Sequence, residues 1–488
     1  MHKKSAFCRS IFLLAVVYWK ATTNQYNYNK RKEATDKMRE KWQKQLPLMP
    51  RIKDHSQCQE LEAISKLIDA NSTICNHVLQ DLSRGKMPAH RKGANGMSAD
   101  QVLRCAIAKT LFDFTYEELA FHLVDSQSLN WFCRIGIADD GFKKSALNKN
   151  IKAIRDTTWQ KINAELLGHA KSHKIEKGRE VRIDCTCVET HIHYPTDATL
   201  LWDVVRVLTR LADRCREAGI NIGTFHNHTR VAKRRMLAVL NAKGAHKRKA
   251  AYSDLLKTTG KVIGYATRAV EAIPNARGAD GSLIMLLSEF RHYIALAQKV
   301  VDQTERRVMR GENVDARDKV VSIFEPHTDI IVKDRRETLF GHKICLTGGA
   351  SNLILDCWIL EGNPADSELA LPMLDRQKDL YGRYPLKASF DGGFASKGNL
   401  KEAKSRRIKD VCFAKKRGLK ETDMCRSHYV YRRLRRFRAG IESGISWLKR
   451  CLGLTRCTWK GWQAFKSYVW SSIVAANLLT LARAKPAT

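Results

Sequence analysis

In the stretch Glu180-Val-Arg-Ile-Asp-Cys-Thr-Cys-Val188 the residue pattern changes from helical to strand-like. This change indicates that the chain is not all-helical. Alternation of this kind predicts a β-strand whose successive side chains point to opposite faces. Arg182 and Asp184 then share one face, and Cys185 and Cys187 share the other. An unpaired charge inside an apolar strand costs free energy. We therefore expect Asp184 to have a functional role.

Helical patterns lie on both sides of this strand. Residues 55 to about 175 contain two capping boxes, Ser98-x-x-Gln101 and Thr115-x-x-Glu118, and a third helix start at Ser145. A second helical block covers about 198–316. Because this block directly follows the first strand, we interpret it as an insertion in the fold that the strand begins.

Strands and helices alternate in the rest of the chain. Strand patterns occur at Lys319–Lys333, His342–Leu346, Leu353–Leu360, Pro385–Phe390 and Asp410–Ala414. Helical patterns occur at Asp366–Gly382, Lys397–Arg407, Arg432–Cys451 and Trp462–Arg483. This order predicts an α/β fold of the RNase H-like kind, interrupted by the helical insertion.

Two further carboxylates stand at positions suited to a site. Asp391 follows the predicted strand Pro385–Phe390 and precedes two glycines, which permit a sharp turn and a close approach. Glu442 lies on the predicted helix Arg432–Cys451, with Arg438 four residues before it and Lys449 seven residues after it. At about 100° per residue the three side chains project to similar directions. A surface salt bridge between Arg438 and Glu442 would give the same pattern.

Fourteen cysteines invite a zinc or disulfide interpretation. They are scattered, and no CxxC pair occurs. The closest group is Cys185 and Cys187 with His191 and His193, but the alternation of the strand turns both thiols away from Asp184. We expect these thiols to belong to the core and the protein to work in the reducing cytoplasm.

The charge balance points to a polyanionic partner. The chain has 86 Lys and Arg against 50 Asp and Glu, which leaves a net charge of +36. Between residues 201 and 310 there are 21 basic and 9 acidic residues. Since phosphate neutralisation rewards clustered cations, nucleic acid is the expected partner, although ribosomal and membrane-surface proteins are also basic.

The N-terminal third divides into two parts. Residues 1–37 contain an apolar run that is too short to span a bilayer and lacks a cleavage site, so we interpret them as a disordered extension before a working start at Met38. Residues 38–175 are predicted to form a helical, helix-turn-helix-like DNA-binding domain, with basic residues on one helix. The basic residues assigned to this DNA contact are Lys143, Lys144 and Lys149. An all-α packing domain with a solvated basic face explains the same residues.

Several short motifs resemble those of bacterial insertion-sequence transposases of the DDE type. Arg438-x3-Glu442-x6-Lys449 is similar to the signature around the catalytic glutamate of these enzymes. Other segments are similar in wording and order: Arg182-Ile-Asp-Cys-Thr, His193-Tyr-Pro-Thr-Asp197, Phe340-Gly-His-Lys343, Asn363-Pro364 and Ser389-Phe-Asp-Gly-Gly393. The resemblance covers about 38–485 and is closest to the ISNCY-type group.

The resemblance implies a site and a reaction. Asp184, Asp391 and Glu442 would be the catalytic carboxylates and would bind two Mg²⁺ (or Mn²⁺) ions. The enzyme, with residues 176–488 as its catalytic domain, would cut at the terminal inverted repeats and join the 3′-OH to target DNA. It would act as a homodimer or larger assembly on DNA of the nucleoid and not at a membrane. Arg438 and Lys449 would contact phosphate. Arg435 stands where the signature usually has tyrosine, and it projects to the same helix face as Glu442.

Three other functions fit parts of the sequence. A nuclease of the same fold would cleave without joining. A decayed transposase would bind DNA without cleaving it. A basic RNA-associated scaffold is less consistent with the chain, since no RNA-binding signature is seen.

Overall fold

The computed structural model describes residues 55–83, 96–136, 140–272, 281–333 and 337–484. These residues fall in one compact unit, which spans Lys53–Thr488. The expected extension 1–37 and the expected start at Met38 lie outside the described residues.

In the part of the chain that the structure describes, seven helices precede the first strand. They are α1 (Ser56–Ala70), α2 (Thr73–Leu82), α3 (Ala99–Leu111), α4 (Tyr116–Asp125), α5 (Gln127–Phe132), α6 (Lys144–Ile151) and α7 (Asp156–Ser172). Both predicted capping boxes are confirmed, because Ser98 and Thr115 each exchange hydrogen bonds with the residue three positions later. The start at Ser145 is off by one residue, since α6 begins at Lys144 without a side-chain cap.

A mixed sheet of seven strands follows these helices. Its strands are β1 (Glu180–Thr190), β2 (Asp329–Lys333), β3 (Glu337–Gly348), β4 (Ile354–Ile359), β5 (Lys387–Phe390), β6 (Asp410–Phe413) and β7 (Arg456–Cys457). The order is β2-β3-β1-β5-β6, with β4 also on β3 and β7 also on β1. Strands β2, β3, β4 and β1 pair antiparallel, whereas β5, β6 and β7 run parallel to their partners. The expected α/β fold is therefore found as a helix-rich protein with a mixed sheet.

Between β1 and β2 the chain forms a helical bundle. It contains α8 (Asp197–Glu217), α9 (Thr229–Asn241), α10 (Ala245–Ala272) and α11 (Gly281–Thr304), followed by one π-helical turn, Glu305–Arg310. The bundle has its own apolar core, which includes Leu208, Leu255 and Phe290. At its root, Asp197 accepts hydrogen bonds from Gln303 (3.0 Å) and Arg307 (2.9 Å). The two ends of the inserted segment are thereby bonded to each other.

One predicted strand is wrong in part. The pattern at Lys319–Lys333 forms a strand only at Asp329–Lys333. Val320 instead exchanges two hydrogen bonds with the side chain of Gln303, at 2.9 and 3.1 Å. Because that amide satisfies the backbone of Val320 and the apolar side chains pack on the bundle, this segment needs no neighbouring strand.

The remaining helices cover the sheet. They are α12 (Asp366–Tyr381), α13 (Lys397–Ser405), α14 (Glu421–Met424), α15 (His428–Cys451) and α16 (Trp462–Arg483). Helix α16 is buried along most of its length and packs against α1, α3, α7 and β4. It therefore joins the N-terminal helices to the sheet. Among the described residues no helix is both long and apolar enough to cross a membrane.

Candidate active site

The register of β1 and β5 brings two carboxylates side by side. The strands pair in parallel from Glu180 with Lys387 to Ile183 with Phe390. The next residue on each strand is an aspartate, Asp184 or Asp391. Because paired strands lie about 4.8 Å apart, the two residues are neighbours.

The two glycines after Asp391 are required by close approaches. A Cβ atom on Gly392 would lie 2.7 Å from the side chain of Lys415, and one on Gly393 would clash with the Asp366 carboxylate. Asp366 is itself held by an ion pair with Lys343 (2.5 Å). The turn that carries Asp391 is thus packed between Lys415 and Asp366.

The third carboxylate comes from α15, which crosses β1, β5 and β6. The helix begins at His428, four residues earlier than predicted, because Ser427 caps it by accepting a hydrogen bond from the backbone N–H of Val430. Leu434, Ile441 and Leu448 are buried. Glu442 is on the exposed side of the same helix, next to this apolar stripe.

Arg438 connects all three carboxylates. Its Nη1 atom lies 2.8 Å from Glu442 Oε1, 3.4 Å from Asp391 Oδ1 and 3.9 Å from Asp184 Oδ2. The Arg438 side chain is 13 % exposed, whereas Glu442 is 56 % and Asp391 41 % exposed. The expected surface pair of Arg438 and Glu442 is thus part of a larger network. We call these four residues the carboxylate network.

Burial and charge act against each other within this network. Burial raises the pKa of Asp184 to about 6; the N–H of Cys185 and the charge of Arg438 oppose this rise, and the charges of Asp391 and Glu442 add to it. Burial acts to lower the pKa of Arg438, but the hydrogen bond to Glu442 and the charges of the carboxylates raise it overall. The folded protein therefore holds a carboxyl group that is costly to ionise next to a firmly charged guanidinium.

A buried arginine fixes α15 on the strand that carries Asp184. Arg182 donates hydrogen bonds to the carbonyl of Phe437 (3.1 Å) and to Asn352 (2.6 Å), and its guanidinium stacks on the Phe437 ring. A Cβ atom on Gly440 would clash with the Nη1 atom of Arg182. The strand alternation predicted that Arg182 and Asp184 share one face, but no function in the site was predicted for Arg182. The available signal was a cation in an apolar strand, two residues before the carboxylate.

The other predicted site residues are placed differently. Arg435 is exposed on α15, and Lys449 is half-buried in its last turn. Lys143, Lys144 and Lys149 are exposed at α6, which packs against α3 and α4, and Lys144 pairs with Glu117 (2.5 Å). The structure does not bring these three lysines into contact with the carboxylate network.

Cys185 and Cys187 are not part of the carboxylate network. Cys185 is the cross-strand partner of Cys345 on β3, and Cys187 is buried. His193 lies 3.4 Å from Asp203. Within the described residues, no group of three or more His, Cys, Asp or Glu side chains is arranged so that it could hold a metal ion.

A second charged group joins β2, β3 and α16. Glu325 contacts His327 (2.9 Å), His327 contacts His342 (2.7 Å), and His342 contacts Asp329 (2.9 Å). The backbone N–H of Gly461, just before α16, donates to Glu325 at 2.8 Å. The rings of Trp462 and Phe465 pack on His342, which is 1 % exposed. We call Glu325, His327, His342 and Asp329 the histidine chain.

Part of the chain matches a known protein family. Residues 332–478 match the family model of the transposase DDE domain. The matched segment contains β3 to β7 and most of α16, including Asp391, Arg438 and Glu442, whereas Asp184 lies before the insertion. No curated protein and no solved structure matches the chain. Residues 332–478 are therefore similar to a transposase DDE domain.

Proposed function

We propose that the chain binds the ends of an insertion sequence, cleaves the DNA there and joins the freed 3′-OH to target DNA. The observation that carries this proposal is the convergence of Asp184, Asp391 and Glu442, from three separate elements, on the Nη1 atom of Arg438. The match of residues 332–478 to the transposase DDE domain supports it independently. The mixed sheet is consistent with an RNase H-like catalytic domain over 176–488, of the kind found in ISNCY-type transposases.

The donor set suits divalent cations. Three carboxylates offer the hard oxygen ligands that Mg²⁺ and Mn²⁺ prefer, and they already surround one cationic group. With the Arg438 guanidinium between them, the three carboxylates do not form a metal-holding group in the described part of the chain. Ions would therefore have to take the position that the Arg438 guanidinium now occupies. Asp184, Asp391 and Glu442 would hold two ions, which would supply activation of the attacking oxygen and stabilisation of the leaving oxygen.

The other residues would hold DNA and position these ligands. The hydrogen bond from Arg182 to the carbonyl of Phe437 holds α15, which carries Glu442, against the strand that carries Asp184. Arg438, released from the carboxylates, together with Arg435 and Lys449, would contact backbone phosphates. Residues 38–175 would bind the terminal repeats. A homodimer or larger assembly would bring the two ends together.

The test is a strand-transfer assay. Duplex DNA taken from the regions that flank the gene is supplied with a pre-cut 3′ end, a supercoiled target plasmid and Mg²⁺. We expect joined products with the unaltered protein. Asp184→Asn, Asp391→Asn and Glu442→Gln should each reduce cleavage and joining at least a thousandfold, while DNA binding is retained. Asp423→Asn is the control, because Asp423 is an exposed acid outside the network.

The outcomes separate the alternatives. Cleavage without joining would assign the chain to nucleases of this fold. Binding without cleavage by the unaltered protein would indicate a decayed transposase, as would be consistent with Arg435 at the usual tyrosine position. Full activity in any of the three carboxylate variants would contradict the role of that residue.

A further inference from the structure

One segment of the helical bundle contains no acidic residue. No Asp or Glu occurs between Glu217 and Asp254, a stretch that contains α9 and the start of α10. Seven of its basic residues are exposed: Arg230, Lys233, Arg234, Lys243, Lys247, Arg248 and Lys249. We call these seven residues the basic strip.

The cations of the strip are not neutralised by the protein. None of the seven forms an ion pair with any residue that the structure describes. Some arginines elsewhere in the inserted segment do form ion pairs. Arg214 pairs with Glu289 (2.5 Å), Arg216 with Asp213 (2.9 Å) and Arg306 with Glu312 (3.0 Å). These arginines therefore provide a paired set of cations with which the strip can be compared.

The strip leads from the far end of the bundle towards the sheet. Helix α9 packs along α10, and Arg235 of α9 reaches the backbone of Asp254 (2.7 Å) on α10. Tyr252, three residues after Lys249, is buried against Asp197 and Ala198, where the chain enters the bundle after β1. Helix α9 alone has 13 residues, or a length of about 20 Å. This length corresponds to roughly six base pairs of duplex DNA.

We propose that the basic strip is a binding surface for the phosphate backbone of double-stranded DNA that extends beyond the carboxylate network. The inference rests on the proposed function and adds to it a specific surface and a direction for the DNA. Unpaired, exposed Lys and Arg side chains gain free energy when they release counterions from a duplex, whereas the paired arginines on the other helices are already neutralised. Contacts of this kind with backbone phosphates carry no sequence information, so we expect binding to the strip to be independent of sequence.

The experiment compares two variants of equal charge in the full-length protein. The strip variant carries Lys233→Gln, Arg234→Gln, Lys247→Gln and Lys249→Gln. The control carries Arg214→Gln, Arg216→Gln, Arg306→Gln and Arg310→Gln, which remove four arginines that form ion pairs. Gln has nearly the helix propensity of Lys and Arg, so both variants should fold, and circular dichroism checks this. Binding to a fluorescent 30-base-pair duplex is measured by anisotropy at several salt concentrations, with EDTA present.

We expect the strip variant to bind at least tenfold more weakly at 0.1 M salt. The plot of log K against log salt should become less steep, its slope decreasing in magnitude by about 2–4, since each lost phosphate contact reduces that magnitude by about 0.9. The control should stay within twofold of the unaltered protein. Equal losses in both variants, no loss in the strip variant, or a loss seen only with RNA of the same length would overturn the proposal. Because EDTA removes the metal-dependent reaction from this measurement, failure of the strip and failure of the catalytic proposal are distinguishable.

Discussion

The carboxylate network and the histidine chain are both charged groups that join elements far apart in sequence, yet they are built in opposite ways. In the carboxylate network, one cation serves three acids, and two of those acids are more than a third exposed. In the histidine chain, each acid has its own imidazole and a backbone donor, and His342 is almost fully buried. A network that is short of partners and open to solvent suits ligand exchange. A mostly buried chain in which each side chain bonds its neighbour suits stability, even though the Oε1 atom of Glu325 has no partner among the described residues.

The first prediction breaks the histidine chain. His342→Ala should lower the free energy of unfolding by about 2–4 kcal/mol, because it removes one hydrogen-bond partner from the partly buried Asp329 and His327 and opens a cavity beside Trp462. Urea unfolding followed by circular dichroism measures this. His191→Ala is the control, because His191 is exposed, and we expect no change. A loss of stability in the control would indicate a structural role for the histidines after β1. An unchanged free energy of unfolding in His342→Ala would show that the histidine chain does not stabilise the fold.

The second prediction removes the costly charge from the carboxylate network. Since folding raises the pKa of Asp184 to about 6 from an ordinary 3.8, the ionised carboxylate destabilises the folded state. The penalty is absent below about pH 4, grows as the pH rises towards 6 and is complete above it. Asp184→Asn can keep the hydrogen bond from Cys185 and should stabilise the metal-free protein by about 1–3 kcal/mol at pH 7.5. Unfolding curves at pH 4 and 7.5 in EDTA should show this gain only at the higher pH. A gain of equal size at both would contradict the electrostatic origin.

The third prediction concerns the shared cation. Arg438→Gln removes the positive charge that stands between the three carboxylates, so Mn²⁺ should bind the DNA-free protein about tenfold more tightly, or by about 1.4 kcal/mol. Titration of Mn²⁺ with detection of the free ion by electron paramagnetic resonance measures the affinity. Arg433→Gln is the control, because Arg433 lies on the same helix but pairs with Glu180. Weaker Mn²⁺ binding in Arg438→Gln would mean that the guanidinium holds the carboxylates in place and does not compete with the ion.

The two groups also differ in how far the sequence foretold them. Asp184 lies inside an apolar strand, Asp391 follows a strand, and Glu442 lies on a helix with an apolar stripe. Residue type and position made these three acids candidates, and the resemblance to DDE transposases grouped them into one site. The histidine chain could not be predicted, because Glu325 and His327 lie in an irregular segment, and only the fold brings them to His342 and Asp329. Arg182 was placed on the correct face, but its hydrogen bond to Phe437 depends on how α15 crosses the sheet. The partial failure at Lys319–Lys333 has the same origin, since a side chain 17 residues away satisfied the backbone that a strand would have paired.

The bonds of Asp197 at the root of the bundle have a consequence for the evolution of this protein. Gln303 is 106 residues further along the chain, yet its side chain and Asp197 are in contact. Once the two ends of the inserted segment are bonded to each other, the entropic cost of lengthening the segment grows only with the logarithm of its length. The inserted segment can therefore gain, lose or exchange helices while the sheet keeps its register. The bundle is in this sense a replaceable module, and its charged surface can change from one lineage to another without disturbing the carboxylates.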